Sequence, residues 1–409
     1  MDFLFVTRRM AVMNNIPDGG CVRSTLLIEA LSKLGHVDVI SFVKEPVVST
    51  IPNCDVIYSG ATPESVLSLR ERILLNMRLF FAPWKPDAYY VVNKEQERIV
   101  SLYYNAKHYD YVVCHFIWDA VPCGLMKYAD RLIIDVDDNL VSGFRRDLAN
   151  NHHQRLLTRI KDWWMALMSG MMQEHLLKRV RLSFFSNLND SPFEKSVFLQ
   201  NVSLFSHPCS SISESTPMRL LFVGKCDFFP NKKGILHFVD SIFPIIKDRI
   251  PSVELNIVGK MDNDFKSYLS SINGVNALGF VDCLQDEYQN CRAVIVPLYH
   301  GAGTSIKFIE GIMMNRPIVS TQVGARGFNS VFQANRHYLL ANSDQEFAEC
   351  VVNVLSDIDK ANMMAREALE IGAVHFSKDS FFDVVKESIE AVADHQASRT
   401  LRENSLYIG

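Results

Sequence analysis

Apolar residues in this chain gather in short unbroken runs. The segments "DFLFVT" (2–7), "VDVISFV" (37–43), "DVIYSG" (55–60), "YDYVVCHF" (109–116), "RLIIDV" (131–136) and "LSFFSN" (182–187) are β-branched or aromatic and apolar on both faces. That is the pattern of strands in a parallel sheet covered on each side by helices. Helical patterning follows each run. A second set begins after residue 215, with "MRLLFVG" (218–224), "VELNIVG" (253–259), "NALGF" (276–280), "AVIVPLY" (293–299) and "RPIVST" (316–321). Between the sets, "SHPCSSISESTPM" (206–218) is rich in Ser and Pro and poor in large apolar residues, which suits a linker. The pattern predicts an α/β fold of two doubly wound, Rossmann-like units in tandem. Beyond the last run, Ser343 and Glu346 form a capping box that opens a helix to about Leu355. A final helix from about Ser380 carries Phe381, Val384, Val385, Ile389 and Val392 on one stripe, and the polar tail after His395 is expected to fray.

Length agrees with two cores, since 409 residues exceed what one usually serves. An apolar fraction of 48% and a charged fraction of 22% are those of an ordinary globular chain. The net charge of −4 and pI near 6.3 give no general attraction to nucleic acid, so any basic site must be local. The nine cysteines include no CxxC pair and no zinc-ligand spacing; they read as reduced thiols, many in core runs, of a cytoplasmic protein. No run approaches the ~18 apolar residues that a membrane span needs, and "MDFLFVTRRM" reads as a first core strand rather than a signal segment.

Several short stretches carry candidate chemistry. In "YHGAGTSIKFIEGIMMNRPIVST" (299–321), Gly301 and Gly303 allow a tight turn after a buried strand, and Thr304 is a candidate cap for the helix that follows. Free N–H groups at such a helix start favour a phosphate oxygen, and Asn315 with Pro317 ends the helix. Glu310 is the one acid in that greasy helix. It would either pair with Lys307 three residues earlier, or meet a ligand offering two hydroxyls, such as a ribose. Gly19 and Gly20 precede an amphipathic segment whose first turn holds Arg23, either solvated or an anion contact. His115 ends a strand, in a structural or a catalytic role. Asp135, Asp137 and Asp138 follow an apolar strand and imitate both a DxD metal motif and the nucleophile loop of a phosphatase. Asn139 and the lack of a later acidic loop argue against the phosphatase. Residues 145–181, basic at both ends with Trp163 and Trp164 between, predict a long helix packed on the first unit or resting on an anionic membrane surface.

A strand, then "GAGTSIKFIEG", then "RPIVST" resembles the donor-binding motif of retaining GT-B glycosyltransferases of the glycosyltransferase 4, or group 1, type. "MRLLFVGKCDFFPNKKGILHFVDSIFPII" (218–246) resembles the start of that family's second domain. The resemblance is dense over about 218–330 and thinner before residue 200. It implies two Rossmann-like domains facing a cleft: an acceptor-side domain over 1–210, a nucleotide-sugar domain over 211–376, and a C-terminal helix over 377–409 returning to the first domain. It implies that Glu310 binds the donor ribose. Lys225, after Gly224, and Lys233 (or its neighbour Lys232) would grip the diphosphate together with Gly303, Thr304 and Ser305. Gly19 and Gly20 would form the glycine loop of the first domain, and His115 would lie near the reacting sugar. The family's usual first glutamate falls at Ala302, a departure that touches the contact with the transferred sugar.

The implied activity is a hexosyltransferase-type transfer, with retention, from a nucleotide-diphosphate sugar to an acceptor hydroxyl, in surface polysaccharide or glycoconjugate synthesis. The leaving phosphate would take the acceptor proton, so no metal or cofactor is expected beyond the donor as co-substrate. The implied partners are that donor and a glycan or lipid-linked acceptor, with residues 145–181 as a peripheral contact at the inner face of the membrane. Two competitors stand beside this: a Mg²⁺-dependent phosphohydrolase using Asp135 and Asp137, and a catalytically silent nucleotide-sugar-binding subunit, which Ala302 favours.

Overall fold

The computed structural model describes residues 1–8, 19–43, 49–62, 69–81, 92–137, 156–187, 196–205, 207–301 and 304–405. Two compact units divide the chain, one made of residues 1–200 with 381–409 and the other of 201–380.

Seven parallel strands build the first unit: β1 (Asp2–Thr7), β2 (His36–Ser41), β3 (Cys54–Ser59), β4 (Tyr111–His115), β5 (Leu132–Asp137), β6 (Leu182–Phe185) and β7 (Ser196–Phe198). Their order is β3-β2-β1-β4-β5-β6-β7. Six more build the second: β8 (Arg219–Val223), β9 (Glu254–Val258), β10 (Val275–Gly279), β11 (Ala293–Val296), β12 (Ile318–Thr321) and β13 (Leu339–Ala341), in the order β10-β9-β8-β11-β12-β13. Phe3 to Val6, Val112 to Cys114, Leu220 to Phe222 and Ala293 to Val296 are fully or almost fully buried, as strands covered on both faces must be. The eleven apolar runs all became strands. The two edge strands β7 ("SVF") and β13 ("LLA") are three residues long, too short to leave a pattern in the sequence.

Both sheets reverse their strand order at one place, between β1 and β4 in the first unit and between β8 and β11 in the second. In such sheets the crevice for a ligand lies at the carboxyl ends of those two strands. The loops after β8 and β11 are therefore where the second unit's chemistry is sought.

The helix Lys378–Ser405 joins the first unit from Phe381 onward. Phe381, Val385 and Ile389 are buried, each burial worth about 1.5–3 kcal/mol. The Lys33 ammonium sits 3.8 Å over the Phe382 ring, and Arg181 donates to the Val392 carbonyl at 2.7 Å. Where fraying was expected after His395, the helix continues to Ser405, since the Gln, Ala and Arg residues there favour helix.

The stretch predicted as a linker is not one. Cys209 and Ile212 are core residues of the second unit, and two buried arginines hold its backbone. Arg316 donates to the Ser210 carbonyl at 2.8 Å, while Arg292 donates to those of Thr216 and Glu214 at 2.9 and 3.2 Å. Backbone carbonyls satisfied in this way can be packed under a Ser-rich sequence that composition reads as solvated. The unit boundary accordingly falls at 200/201 rather than 210/211, and the return at 380/381 rather than 376/377.

Candidate active site

At the end of β8 the chain turns at Gly224, whose φ of 157° and surroundings leave no room for a side chain. A Cβ there would stand 2.8 Å from Asn231 Nδ2 and 3.1 Å from Lys307 Cε. Asn231 lies in the first turn of the helix Phe229–His237 and links two pieces of the site. Its Nδ2 donates to the Lys225 carbonyl at 2.8 Å, and its Oδ1 accepts from Lys307 Nζ at 3.1 Å. Further along that helix, a Cβ on Gly234 would come within 2.2 Å of the Pro297 carbonyl oxygen, so a bare backbone lets the helix close on the loop that follows β11.

That loop leads into the helix Ile306–Met313. Its N-cap is Ser305, not Thr304: Thr304 Oγ1 instead accepts from Asn201 Nδ2 at 2.7 Å. Ser305 Oγ is buried, with no hydrogen-bond partner among the described residues, at the start of the helix, where the first backbone N–H groups also lack helical acceptors. Asn315, at φ 55°, follows the helix end in the left-handed conformation that stops it. Gly303 and Ala302 lie outside the described residues.

Glu310 keeps partial exposure and receives one hydrogen bond, from the hydroxyl of the buried Tyr288 at 3.2 Å. Dense packing around its carboxyl raises its pKa to about 7; the Tyr288 bond and the Lys307 charge offset this only in part. Tyr288 is pushed well above its ordinary value by burial and by Glu310, so its hydroxyl stays a donor. The expected alternative, an ion pair with Lys307, is not formed. Lys307 turns its ammonium to Asn231, and burial lowers it to about 8. The helix therefore presents a carboxyl that is poorly satisfied by the protein, one turn from an ammonium with a single neutral acceptor.

Lys225 and Lys233 are exposed, and their side chains make no hydrogen bond or ion pair among the described residues. Lys232 is engaged elsewhere, bonded to Asp262 at 2.8 Å and lying 4.8 Å over the Phe265 ring. Of the adjacent pair, Lys233 is thus the one left available. Three residues of the site went unnoticed in the sequence as parts of it: Asn231, Tyr288 and the separate position of Lys307. Only Asn231 left a signal, as a polar residue in the first helical turn beside a glycine turn.

In the first unit, Gly19 and Gly20 open the helix Gly19–Ser32, and the loop before them lies outside the described residues. Arg23 is neither solvated nor free for an anion. It is buried and binds Asp135 in a two-pronged ion pair, with Nε and Nη2 each 2.8 Å from a carboxylate oxygen. Its Nε also stands 3.5 Å from Asp137. Asp135 is thus the counter-ion of Arg23, and Asp138 lies outside the described residues. His115 is fully buried in the same network, sharing a hydrogen bond with Ser24 Oγ and standing 3.5 Å from Asp135. The Ser24–His115–Asp135 string has the residue types of a hydrolytic triad, and all three residues are fully buried. His115, expected near the reacting sugar, ends β4 inside this buried network. The helix Leu156–Leu177 buries Ala166, Met168 and Met172 and exposes Ile160, Trp163 and Trp164, while residues 145–155 lie outside the described set. No described helix is long and apolar enough to cross a membrane. All nine cysteines are free thiols.

Two parallel doubly wound sheets, each reversing its strand order once, are the architecture of the GT-B fold. Residues 217–357, within the second unit, match the family Glycosyl transferases group 1. The whole chain is similar to known proteins. A 44.6 kDa protein in the cps region of Klebsiella pneumoniae is 23% identical over 390 residues, covering 90% of this chain and 96% of the relative. Sucrose-phosphate synthase from Thermosynechococcus elongatus superposes with a TM-score of 0.68 at 16% identity, over 98% of this chain and 99% of that one. HepE from Anabaena, solved in complex with UDP and glucose, gives a TM-score of 0.63 at 12% identity, over 96% and 100%.

Proposed function

We propose that this protein transfers a sugar, with retention, from a nucleotide-diphosphate sugar to an acceptor hydroxyl. The observation that carries the reading is Glu310: a carboxyl at the β8/β11 switch point, inside the group 1 segment, held by one long hydrogen bond and left partly exposed. The two hydroxyls of a ribose supply the hydrogen bonds the protein withholds. The diphosphate then rests at the Gly224 turn and the start of the helix Ile306–Met313, within reach of the exposed Lys225 and Lys233. Charge on the leaving phosphate grows as its bond to the anomeric carbon breaks, so cations fixed there lower the barrier. The acceptor oxygen bonds to that carbon on the same face and its proton passes to the departing phosphate, a route in which the chain needs no base and no metal.

UDP is the first nucleotide to test, because HepE was solved with it. The Klebsiella relative's place in a cps region supports surface polysaccharide as the product class. The reading places the protein in the cytoplasm, with exposed Trp163 and Trp164 touching the inner face of the membrane where a lipid-linked acceptor resides. A thermal-shift screen over UDP-, GDP- and ADP-sugars tests the donor site, since a ligand of the folded state raises the melting temperature. At least one donor is expected to shift it, and Glu310→Ala to abolish the shift. If no donor acts, or if the variant shifts equally, the assignment fails. A donor that binds without any turnover on glycan or lipid-linked acceptors would make the protein a silent binding subunit.

A further inference from the structure

Lys225 and Lys233 stand in solvent, whereas Lys307 is drawn into the unit. Its stem passes directly under the Gly224 turn, and its ammonium lies 5.1 Å from the centre of the Phe222 ring. One neutral acceptor meets it, Asn231 Oδ1 at 3.1 Å. Among the described residues no carboxylate lies within ion-pair distance, and Glu310, one helical turn on, acts only through space. An ammonium in packed surroundings with a single amide partner is costly unless an anion completes it. An anion seated on the Gly224 turn would meet that ammonium, because the lysine's Cε lies only 3.1 Å from where a Cβ on Gly224 would stand. Of the three protons on Nζ, one is taken by Asn231 and two remain for phosphate oxygens.

We infer that Lys307 is a third cation of the donor site, a specificity residue that meets the diphosphate over the Gly224 turn, with Asn231 as the positioning residue that holds its ammonium there. This rests on the donor-site reading above and adds to it a residue that the group 1 pattern did not bring forward. Lys307 is placed to sense phosphate rather than base or ribose, so it separates diphosphates from nucleosides. Asn231 ties that ammonium to the Lys225 carbonyl, and hence to the turn itself.

Calorimetric titration of the full chain with UDP, UMP and uridine tests this in the wild type, Lys307→Met and Glu310→Ala. Lys307→Met is expected to weaken UDP about 10- to 100-fold and uridine less than about twofold. The unliganded melting temperature should stay level or rise, because an apolar side chain of similar length replaces an uncompensated charge. A Lys307→Met variant that binds UDP within about twofold of wild type overturns the proposal. So does one that loses UDP and uridine alike while melting lower, which would mark the lysine as merely structural. If wild type prefers GDP or ADP, the same series is run with that base. Wild type that binds no nucleoside diphosphate sinks the donor-site reading and this inference with it. Glu310→Ala binding like wild type overturns the reading that Glu310 carries above, whereas a weakened Lys307→Met beside it still upholds the phosphate contact inferred here.

Discussion

Replacing Glu310 by Gln should make the empty protein more stable, and only above about pH 5. Packing raises this carboxyl from its ordinary 4.5 to about 7 in the folded chain. Between those values the unfolded chain has released its proton and the folded chain keeps it. The folded state then binds more protons, so stability falls as pH rises through this window and levels off above about 7. At ~1.4 kcal/mol per tenfold change in proton affinity, the loss has a ceiling of about 3 kcal/mol. Water reaching the partly exposed carboxyl lowers it, and so does the Lys307 charge, which the substitution leaves without its nearby carboxylate; about 1–2 kcal/mol is the expected gain. For a unit the size of residues 201–380, each kcal/mol corresponds to roughly 2–4 °C. Differential scanning calorimetry of wild type and Glu310→Gln at pH 5 and pH 8 should therefore show little difference at the lower pH and about 2–8 °C in favour of the variant at the higher. The same variant should lose the melting shift induced by a nucleotide sugar. Equal melting at both pH values, or a less stable variant at pH 8, would refute the claim that this carboxyl is held at a cost for a ligand.

Gly224→Ala should weaken nucleoside diphosphate binding by about tenfold or more in calorimetry, since the new Cβ would displace Asn231 and Lys307 together. Asp135→Asn should lower stability by about 3 kcal/mol in urea unfolding, because it breaks the two-pronged pair of the buried Arg23, which Asp137 at 3.5 Å replaces only in part; assays for Mg²⁺-dependent phosphate release should read background before and after the change. Tyr288→Phe removes the hydrogen bond that helps Glu310 ionise, so the pH midpoint of nucleotide binding should move upward while the fold is retained, as followed by calorimetry across pH 5–9. Trp163→Ala with Trp164→Ala should reduce flotation with liposomes containing anionic lipid at low salt; unchanged flotation, or none by the wild type, would remove the membrane contact.

Strand content, parallel pairing and the division into two doubly wound units were legible in the chain, because a strand covered on both faces must be apolar throughout, and that need is local. Glu310 was legible for a similar reason: an acid amid Phe308, Ile309 and Ile312 contradicts its own neighbourhood. What the neighbours do with such a residue is not local. The sequence offered Lys307 as its ion-pair partner at a spacing of three, yet the fold brings Asn231, from 76 residues away, to take that ammonium, and Tyr288, from 22 residues away, to meet the carboxyl. Arg23 and Asp135, 112 residues apart, looked like an anion contact and a metal ligand until the sheet set them side by side as an ion pair. The Ser-rich stretch before β8 looked like a linker because composition counts side chains, whereas two buried arginines hold it by its carbonyls. Sequence by itself determined which segments must be buried and which carboxyl stood out. Tertiary structure alone decided which charges neutralise one another and which stand without a charged partner among the described residues, because a charge's partner is set by proximity in space rather than by order along the chain.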